Sequence, residues 1–351
     1  MTENEKSIYY DGTKLLSLKD INGNTPEIFI CTSNRTAGKT TYFSRMLVNR
    51  FLKQGKKFAL LYRFNYELDD CAEKFFKDIN TLFFNGMTMT SKRCANGIYH
   101  TLFLDDKPCG YALTLNSADS LKKFSHLLCD ADAIYMDEFQ SETNHYCSDE
   151  VRKFRSIHTS LARGQGKQRR YLPVYMCGNP VSLINPYYVA LDISTRLTED
   201  TKFLRGDGFV LEQGYNKSAD ISQQESGFNR AFKDTAYGNY ASQGKYLNDN
   251  LSFVEKPDTN ERPKYLATIK YLGDEYAIKE YKELGIIYCD NKADTTFTYK
   301  ISVTTDDHNV NYVMLRANDF FITQMRYFFE RGCFRFKDLK CKEAILKLVS
   351  Y

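Results

Sequence analysis

The chain has 351 residues, 26% of them charged and 42% apolar, with a formal net charge of +4. That balance excludes a disordered chain, and the charge is too small to mark a nucleic-acid binder by itself. No apolar run approaches the roughly 18 residues that a membrane span needs. The length allows two domains, each with its own core. Ten cysteines without a Cys-x-x-Cys pair read as free thiols in a reducing cytoplasm. Five histidines without His-Glu-x-x-His spacing give no zinc site. The opening MTENEKS lacks the basic-then-apolar order of a signal peptide.

The segment up to Pro26 mixes polar and apolar residues and is expected to act as a strap under the base of a bound nucleotide. Ile28 to Cys31 then has the length and composition of a buried strand. A polar loop follows and ends in Gly38-Lys39-Thr40, after which Phe43, Met46, Leu47 and Phe51 recur at helical spacing until Gly55. Strand, loop, Gly-Lys-Thr and helix together form the setting of a phosphate-binding loop. Its backbone N–H groups and the helix N-terminus face an anion, Lys39 reaches the β- and γ-phosphates, and the Thr40 hydroxyl sits on Mg²⁺. The nucleotide-contacting run is therefore Ser33, Asn34, Arg35, Thr36, Ala37, Gly38, Lys39, Thr40 and Thr41. Ser33 stands where the pattern has its first glycine, so strain is expected there.

Lys57 to Tyr62 reads as a second buried strand, followed directly by Arg63, and a polar helix is expected from Glu67 to Ile79. Between Thr81 and Leu115 alternating runs are broken at Asn96-Gly97 and at Pro108-Cys109-Gly110, which are hairpin signals. Ala133 to Met136 is a short apolar strand that delivers Asp137 and Glu138. Adjacent acids at such a strand end suit Mg²⁺-nucleotide chemistry, with Asp137 on the metal side and Glu138 orienting the attacking water. Residues 151–170 carry seven lysines and arginines and no acid. Most of these form a solvated face, but Arg163 lies at a helix end before a glycine-containing loop, from where it could reach a γ-phosphate in a neighbouring subunit. The strand Leu172 to Cys177 leads into Gly178-Asn179-Pro180, and Asn179 at its tip would sense the γ-phosphate. These strands fit an open parallel sheet with its ligand at the strand C-termini.

From Thr201 to about Leu251 the composition turns to Gly, Ser, Asn and Gln, which reads as a linker or lid. Four strands are expected beyond it, within 265–303, and then two helices, from about Asp319 to Gly332 and from about Phe336 to Val349. Asn291-Lys292-Ala293-Asp294 matches a guanine-reading pattern, but its distance from the loop marks it as coincidence. The expected division is 1–200, a linker or lid at 201–250, and 251–351.

The motifs AGKT, IYMDEF and CGNPVSLINPYY, with TTDD and FFERGCFRF near the C-terminus, resemble the DNA packaging ATPases of small phi29-like podophages. The resemblance spans most of the chain. It implies an α/β fold: a P-loop ATPase domain of the additional-strand, conserved-glutamate (ASCE) class with a parallel-type sheet, and a smaller α+β C-terminal domain like a degenerate RNase H-type nuclease. It implies a homopentameric ring that uses ATP and Mg²⁺ to drive double-stranded DNA through the portal vertex of an empty capsid in the host cytoplasm, with no membrane involved. A scaffold RNA is a further partner that the sequence does not decide. By the same resemblance Lys39, Thr40 and Arg35 match the loop residues, Asp137 and Glu138 the metal-binding and catalytic acids, and Asn179 the coupling residue. Arg163 matches a trans-acting arginine finger, and Lys122 or Lys123 a second trans-acting cation. Nuclease activity is not expected, because the strand 264–271 carries no acid and Asp290, Asp306 and Asp307 are too few. The rival readings are another P-loop NTPase, helicase or kinase, and a structural vertex protein that does not hydrolyse ATP.

Overall fold

The computed structural model describes residues 9–164, 166–198, 200–232, 235–248 and 251–350. The chain forms two compact units, one of residues up to 182 together with 197–248, the other of 183–196 with the residues from 251 onward.

The first unit is built on a nine-stranded sheet. Its strands are β1 (Ile28–Thr32), β2 (Lys57–Tyr62), β3 (Met89–Cys94), β4 (Tyr99–Leu104), β5 (Lys107–Thr114), β6 (Ala131–Met136), β7 (Val174–Gly178), β8 (Phe203–Gly206) and β9 (Phe209–Gln213), in the order β3-β4-β5-β2-β6-β7-β1-β9-β8. From β5 to β9 every neighbouring pair is parallel. The two outer edges are antiparallel. Residues 29–32 of β1, 133–136 of β6 and all of β7 are buried without alternation, as expected of parallel strands covered on both faces. The helix Lys39–Gln54 lies on this sheet through Phe43, Leu47 and Val48. The Phe43 ring packs against Tyr135 of β6 and Tyr175 of β7, each such burial being worth about 1.5–3 kcal/mol. Gly55, at φ 68°, ends the helix and donates its N–H to the Phe51 carbonyl at 2.7 Å, the left-handed cap that favours glycine.

The expected linker at 201–250 is different in the structure. Its first part is β8 and β9, with β9 paired in parallel to β1, and its second part is three short helices at 217–225, 227–231 and 236–243. The polar composition belongs to those helices and masks the buried run Phe209–Glu212. The second hairpin turn also moves, from 108–110 to Asp105-Asp106, whose φ values of 45° and 63° make the reversal between β4 and β5.

The second unit carries a six-stranded sheet of β10 (Lys264–Tyr271), β11 (Asp274–Tyr281), β12 (Ile286–Asp290), β13 (Lys300–Ser302), β14 (Val313–Met314) and β15 (Phe334–Phe336), in the order β14-β13-β10-β11-β12-β15. The helices Phe320–Glu330 and Leu339–Val349 bury Ile322, Met325, Ile345 and Leu348 with Ile269, Ile278 and Ile287 of the sheet. Asn291 to Asp294 form a local turn: Asn291 Nδ2 donates to Asp338 at 2.9 Å, and Asp294 accepts from the Thr296 hydroxyl. Among the described residues no helix is long and apolar enough to cross a membrane.

Candidate functional site: a phosphate loop facing two acids

Parallel pairing brings the C-terminal ends of β1, β7 and β6 to one edge of the first sheet. Thr32 pairs with Gly178, and Met136 with Met176. The loop after β1, the Asn179 tip of β7 and the acids after β6 are therefore neighbours, although they are far apart in sequence.

Lys39 is the centre of this edge. It is 6% exposed, and its Nζ donates to the Ser33 hydroxyl at 2.9 Å, to the Ser33 and Asn34 carbonyls at 3.2 Å, and to Asn179 Oδ1 at 3.2 Å. Every acceptor is neutral. Burial pushes its pKa down, and neighbouring thiols and Asp137 only partly offset this. A buried cation held by neutral oxygens at a helix N-terminus is a cradle for an anion. Gly38 has φ 93° and Thr36 φ 59°. Thr36 carries the side-chain penalty of a left-handed residue, about 1–2 kcal/mol. Ser33 is not among the left-handed residues, so the expected strain at that position is absent. Its hydroxyl instead positions Lys39.

The loop is tied down on its outer side. Asn34 is fully buried; its Nδ2 donates to the carbonyls of Asn216 and Ser242 at 2.9 and 3.0 Å, and its Oδ1 accepts from Asn216 N. Arg35 N donates to the Ala241 carbonyl, and Tyr10 N to the Ala37 carbonyl at 2.7 Å. The Arg35 side chain pairs with Glu142 and lies over the rings of Tyr237 and Tyr240. Thr41 follows in the first helical turn.

The Thr40 hydroxyl is hydrogen-bonded to Asp137, whose pKa is raised by burial and held back by Thr40 and Lys39. The carboxylate and hydroxyl oxygens are the hard donors that suit Mg²⁺, an ion that takes its other ligands from water and phosphate. The described residues hold no cluster of three metal-ligating side chains, so a fully protein-made metal cage is not what this edge offers. Glu138 follows with φ 50°. Burial first, and then the Asp137 and Glu142 charges, push its pKa up, while Arg35 pulls it back. A carboxylate on left-handed backbone with raised basicity is suited to act on a water molecule. It borders a cleft of about 270 Å³ that also includes Arg35, Arg63, Gln140, Asn179 and Tyr240.

Two features of this edge escape sequence reading. Arg63, at the end of β2, donates Nε to Glu150 at 2.9 Å and its terminal nitrogens to the carbonyls of Glu138 and Phe139, so a buried ion pair holds the backbone at Glu138. Its only sequence signal is a cation directly after a buried strand. Gln140, through Val181 and Ser182, fixes the tip of β7; nothing in the sequence marks it.

Three expected residues do not join the edge within this chain. Arg163 is exposed just beyond the helix Glu150–Leu161, where Arg170 bonds the Ala131 carbonyl at the start of β6. That is the opposite end of β6 from Glu138, about 17 Å away at the usual strand rise. Lys122 and Lys123 are exposed on a short turn between β5 and β6, Lys122 paired with Asp119 at 2.8 Å.

The DNA packaging protein of Bacillus phage phi29 is 23% identical over 336 residues, covering 95% of this chain and 94% of the relative. That of Bacillus phage B103 is 22% identical over 306 residues, covering 86% and 90%. Among solved structures, the bacteriophage phi29 genome packaging motor assembly aligns over 97% of this chain and 100% of its own, with TM-score 0.66 and 22% identity. A Phi-28 gp11 DNA packaging motor aligns over 98% and 99%, with TM-score 0.66 and 14% identity. The family model of the podovirus DNA encapsidation protein (Gp16) matches residues 4–350, and the chain belongs to that family of phi29-type DNA packaging proteins.

Proposed function

We propose that this chain is an ATP-hydrolysing ring motor that drives double-stranded DNA into a preformed capsid. The observation that carries the reading is the buried Lys39, held only by neutral oxygens and facing Thr40, Asp137 and Glu138 across one strand edge. Lys39 and the loop N–H groups take the β- and γ-phosphates, and Thr40 with Asp137 holds Mg²⁺. The metal, when bound, neutralises charge that develops on the phosphates. Glu138 orients the attacking water and draws its proton. Asn179, already on Lys39, registers loss of the γ-phosphate. Arg163, and Lys122 or Lys123, act from a neighbouring subunit, which is why they lie exposed and away from their own loop. The interface is heterologous and closes into a ring, five-membered by the family resemblance. DNA is gripped through its phosphates without base reading, since any sequence must pass. The ring works in the host cytoplasm while docked on the portal vertex of the procapsid, with a scaffold RNA as the partner to be tested there.

The second unit serves this motor as a degenerate RNase H-like domain without nuclease activity. Asp290 is paired with Lys279 at 2.6 Å, and Asp307 accepts from Leu272 N, Gly273 N and the Thr304 hydroxyl. Carboxylates committed in this way are not available for a two-metal cut.

The test is steady-state ATP hydrolysis with procapsids and DNA for wild type, Glu138→Gln and Arg163→Ala. Each variant alone should fall by about 10³-fold, and a mixture of the two should regain activity, because a loop with Glu138 then meets a neighbour with Arg163. Wild type without any hydrolysis under these conditions overturns the proposal.

A further inference from the structure

Gln140 is 4% exposed and lies two residues beyond Glu138. Its Oε1 accepts from Val181 N at 3.1 Å and from Ser182 N at 2.8 Å. Those two bonds fix which end of the carboxamide is oxygen, since two N–H groups cannot face an NH₂ group. The Nε2 end is buried and has no hydrogen-bond partner among the described residues, yet Gln140 borders the cleft beside Glu138 and Asn179. A buried amide donor without an acceptor is costly, and such groups in native proteins call for an explanation.

What Gln140 holds is as informative as what it lacks. Ser182 is the last residue of the first unit before the chain enters the second. The chain leaves the first unit again after Asn248, and this second exit is bonded to the first: Leu247 N donates to the Pro180 carbonyl at 3.2 Å and Asn248 N to the Val181 carbonyl at 3.0 Å. Val181, Tyr240, Ala241 and Leu247 pack there as a small apolar cluster of their own. The same helix 236–243 receives the phosphate loop through Ala241 and Ser242. Two of the three crossings between the units, the exits after Ser182 and after Asn248, thus form one paired ladder, attached to the acid-bearing edge by Gln140 and to the loop after β1 by Asn34 and Arg35; the third crossing is the return between Arg196 and Leu197.

We propose that Gln140 is a positioning residue that couples the state of the nucleotide cleft to this paired exit ladder. Nε2 finds its acceptor only when the cleft is loaded, on phosphate, on the attacking water or on a reoriented Glu138. The carboxamide moves as one plane, so gaining that bond shifts the oxygen that accepts from Ser182 N and from Val181 N, the latter donating also to the Asn179 carbonyl at 3.0 Å. The inference rests on the reading of the cleft as an ATP site. It adds that the signal leaves the first unit through residues 180–182 and 247–248.

Amide hydrogen exchange on the full chain, with and without Mg²⁺ and ATPγS, tests it through two substitutions that separate the two ends of the carboxamide. In wild type, nucleotide should slow exchange at least three-fold both in the loop 33–40 and in 181–182 and 247–248. Gln140→Met removes both ends; the exits should exchange at least three-fold faster even without nucleotide, while the loop still responds. Gln140→Glu keeps the acceptor and removes the amide donor; the exits should stay protected without nucleotide but lose their response to it. Exits that respond in Gln140→Glu or Gln140→Met as they do in wild type overturn the proposal. So does a wild-type protein whose loop responds and whose exits do not. A loop that does not respond at all overturns the ATP-site reading and this inference with it.

Discussion

In the first unit Lys39 is buried among carbonyl, hydroxyl and amide oxygens, whereas in the second unit Lys279 meets Asp290 at 2.6 Å. The contrast extends to the acids. Asp137 and Glu138 have pKa values pushed up by burial, with only partial relief from Thr40, Lys39 and Arg35. Asp307 is satisfied by two backbone N–H groups and a hydroxyl. Backbone strain does not follow this division: Thr36 and Glu138 are left-handed in the first unit, and so are Phe253 and Leu272 in the second. Charge without an ionic partner thus gathers at the loop after β1 and the acids after β6. In the second unit Asp290 and Asp307 are answered internally, and Glu343 is the exception. A buried acid in each unit gives a way to break the comparison.

The largest effect is expected at Arg63. Arg63→Ala leaves Glu150, 3% exposed, buried without its cation and frees the carbonyls of Glu138 and Phe139. Removing one partner of a buried pair costs about 3–5 kcal/mol. Urea denaturation followed by amide exchange should show the first unit opening at lower denaturant while the second keeps its midpoint. The double variant Arg63→Met with Glu150→Leu should recover at least half of the loss, since it removes the orphaned charge as well. If the double variant is no better than the single, the carbonyl contacts are what matter, and the pair is not a separable brace.

The second unit offers a smaller, pH-dependent effect. Burial pushes the Glu343 carboxyl up to about 8, against the pull of the Tyr271 hydroxyl at 3.0 Å and of Lys347 and Lys340. Its Oε2 has no partner among the described residues. A folded-state pKa above the unfolded value of about 4.3 means that the folded form binds more protons between the two values. Stability from this group is therefore complete below about pH 4.3, declines as pH rises, and is gone above about pH 8. The side chain is not fully sheltered from water, so a loss of about 1–3 kcal/mol is the expected scale. Thermal unfolding of the second unit from pH 5 to 8.5 should show the decline, and Glu343→Gln should flatten it. A wild-type profile already flat would place Glu343 with the answered charges of its unit.

What the sequence discloses follows from how local each feature is. Residues 28–54 could be read because strand, loop and helix are consecutive, and Gly38 and Gly55 mark the left-handed positions at both ends of the helix. Asp137, Glu138 and Asn179 were legible because parallel strands deliver their C-termini to one edge. The strands β8 and β9 were not, because four or five residues among polar neighbours carry no period long enough to detect. Asn34 and Gln140 have meaning only through partners at 216, 242, 181 and 182. Such pairings are set by tertiary packing, and no local pattern encodes them.

The smallest expected effect, one on nucleotide affinity, sharpens the contrast at the position where this chain departs from the phosphate-loop pattern. If Ser33 were a strained stand-in, Ser33→Gly would relieve it and tighten nucleotide binding. Ser33 is not left-handed, however, and its hydroxyl both donates to the Asn34 carbonyl and accepts from Lys39. Glycine would remove two buried hydrogen bonds, worth about 0.5–1.5 kcal/mol each, and add backbone freedom to the unfolded chain worth about 0.4–1 kcal/mol. Lys39 would keep three of its four acceptors, so ADP affinity should change by no more than about three-fold while the first unit loses about 1.5–4 kcal/mol of stability. Titration with a fluorescent ADP analogue beside thermal unfolding separates the outcomes. A ten-fold gain in affinity would return Ser33 to the strained residues of the site; an unchanged affinity with a lower melting point makes it part of what holds Lys39 in place for the phosphate.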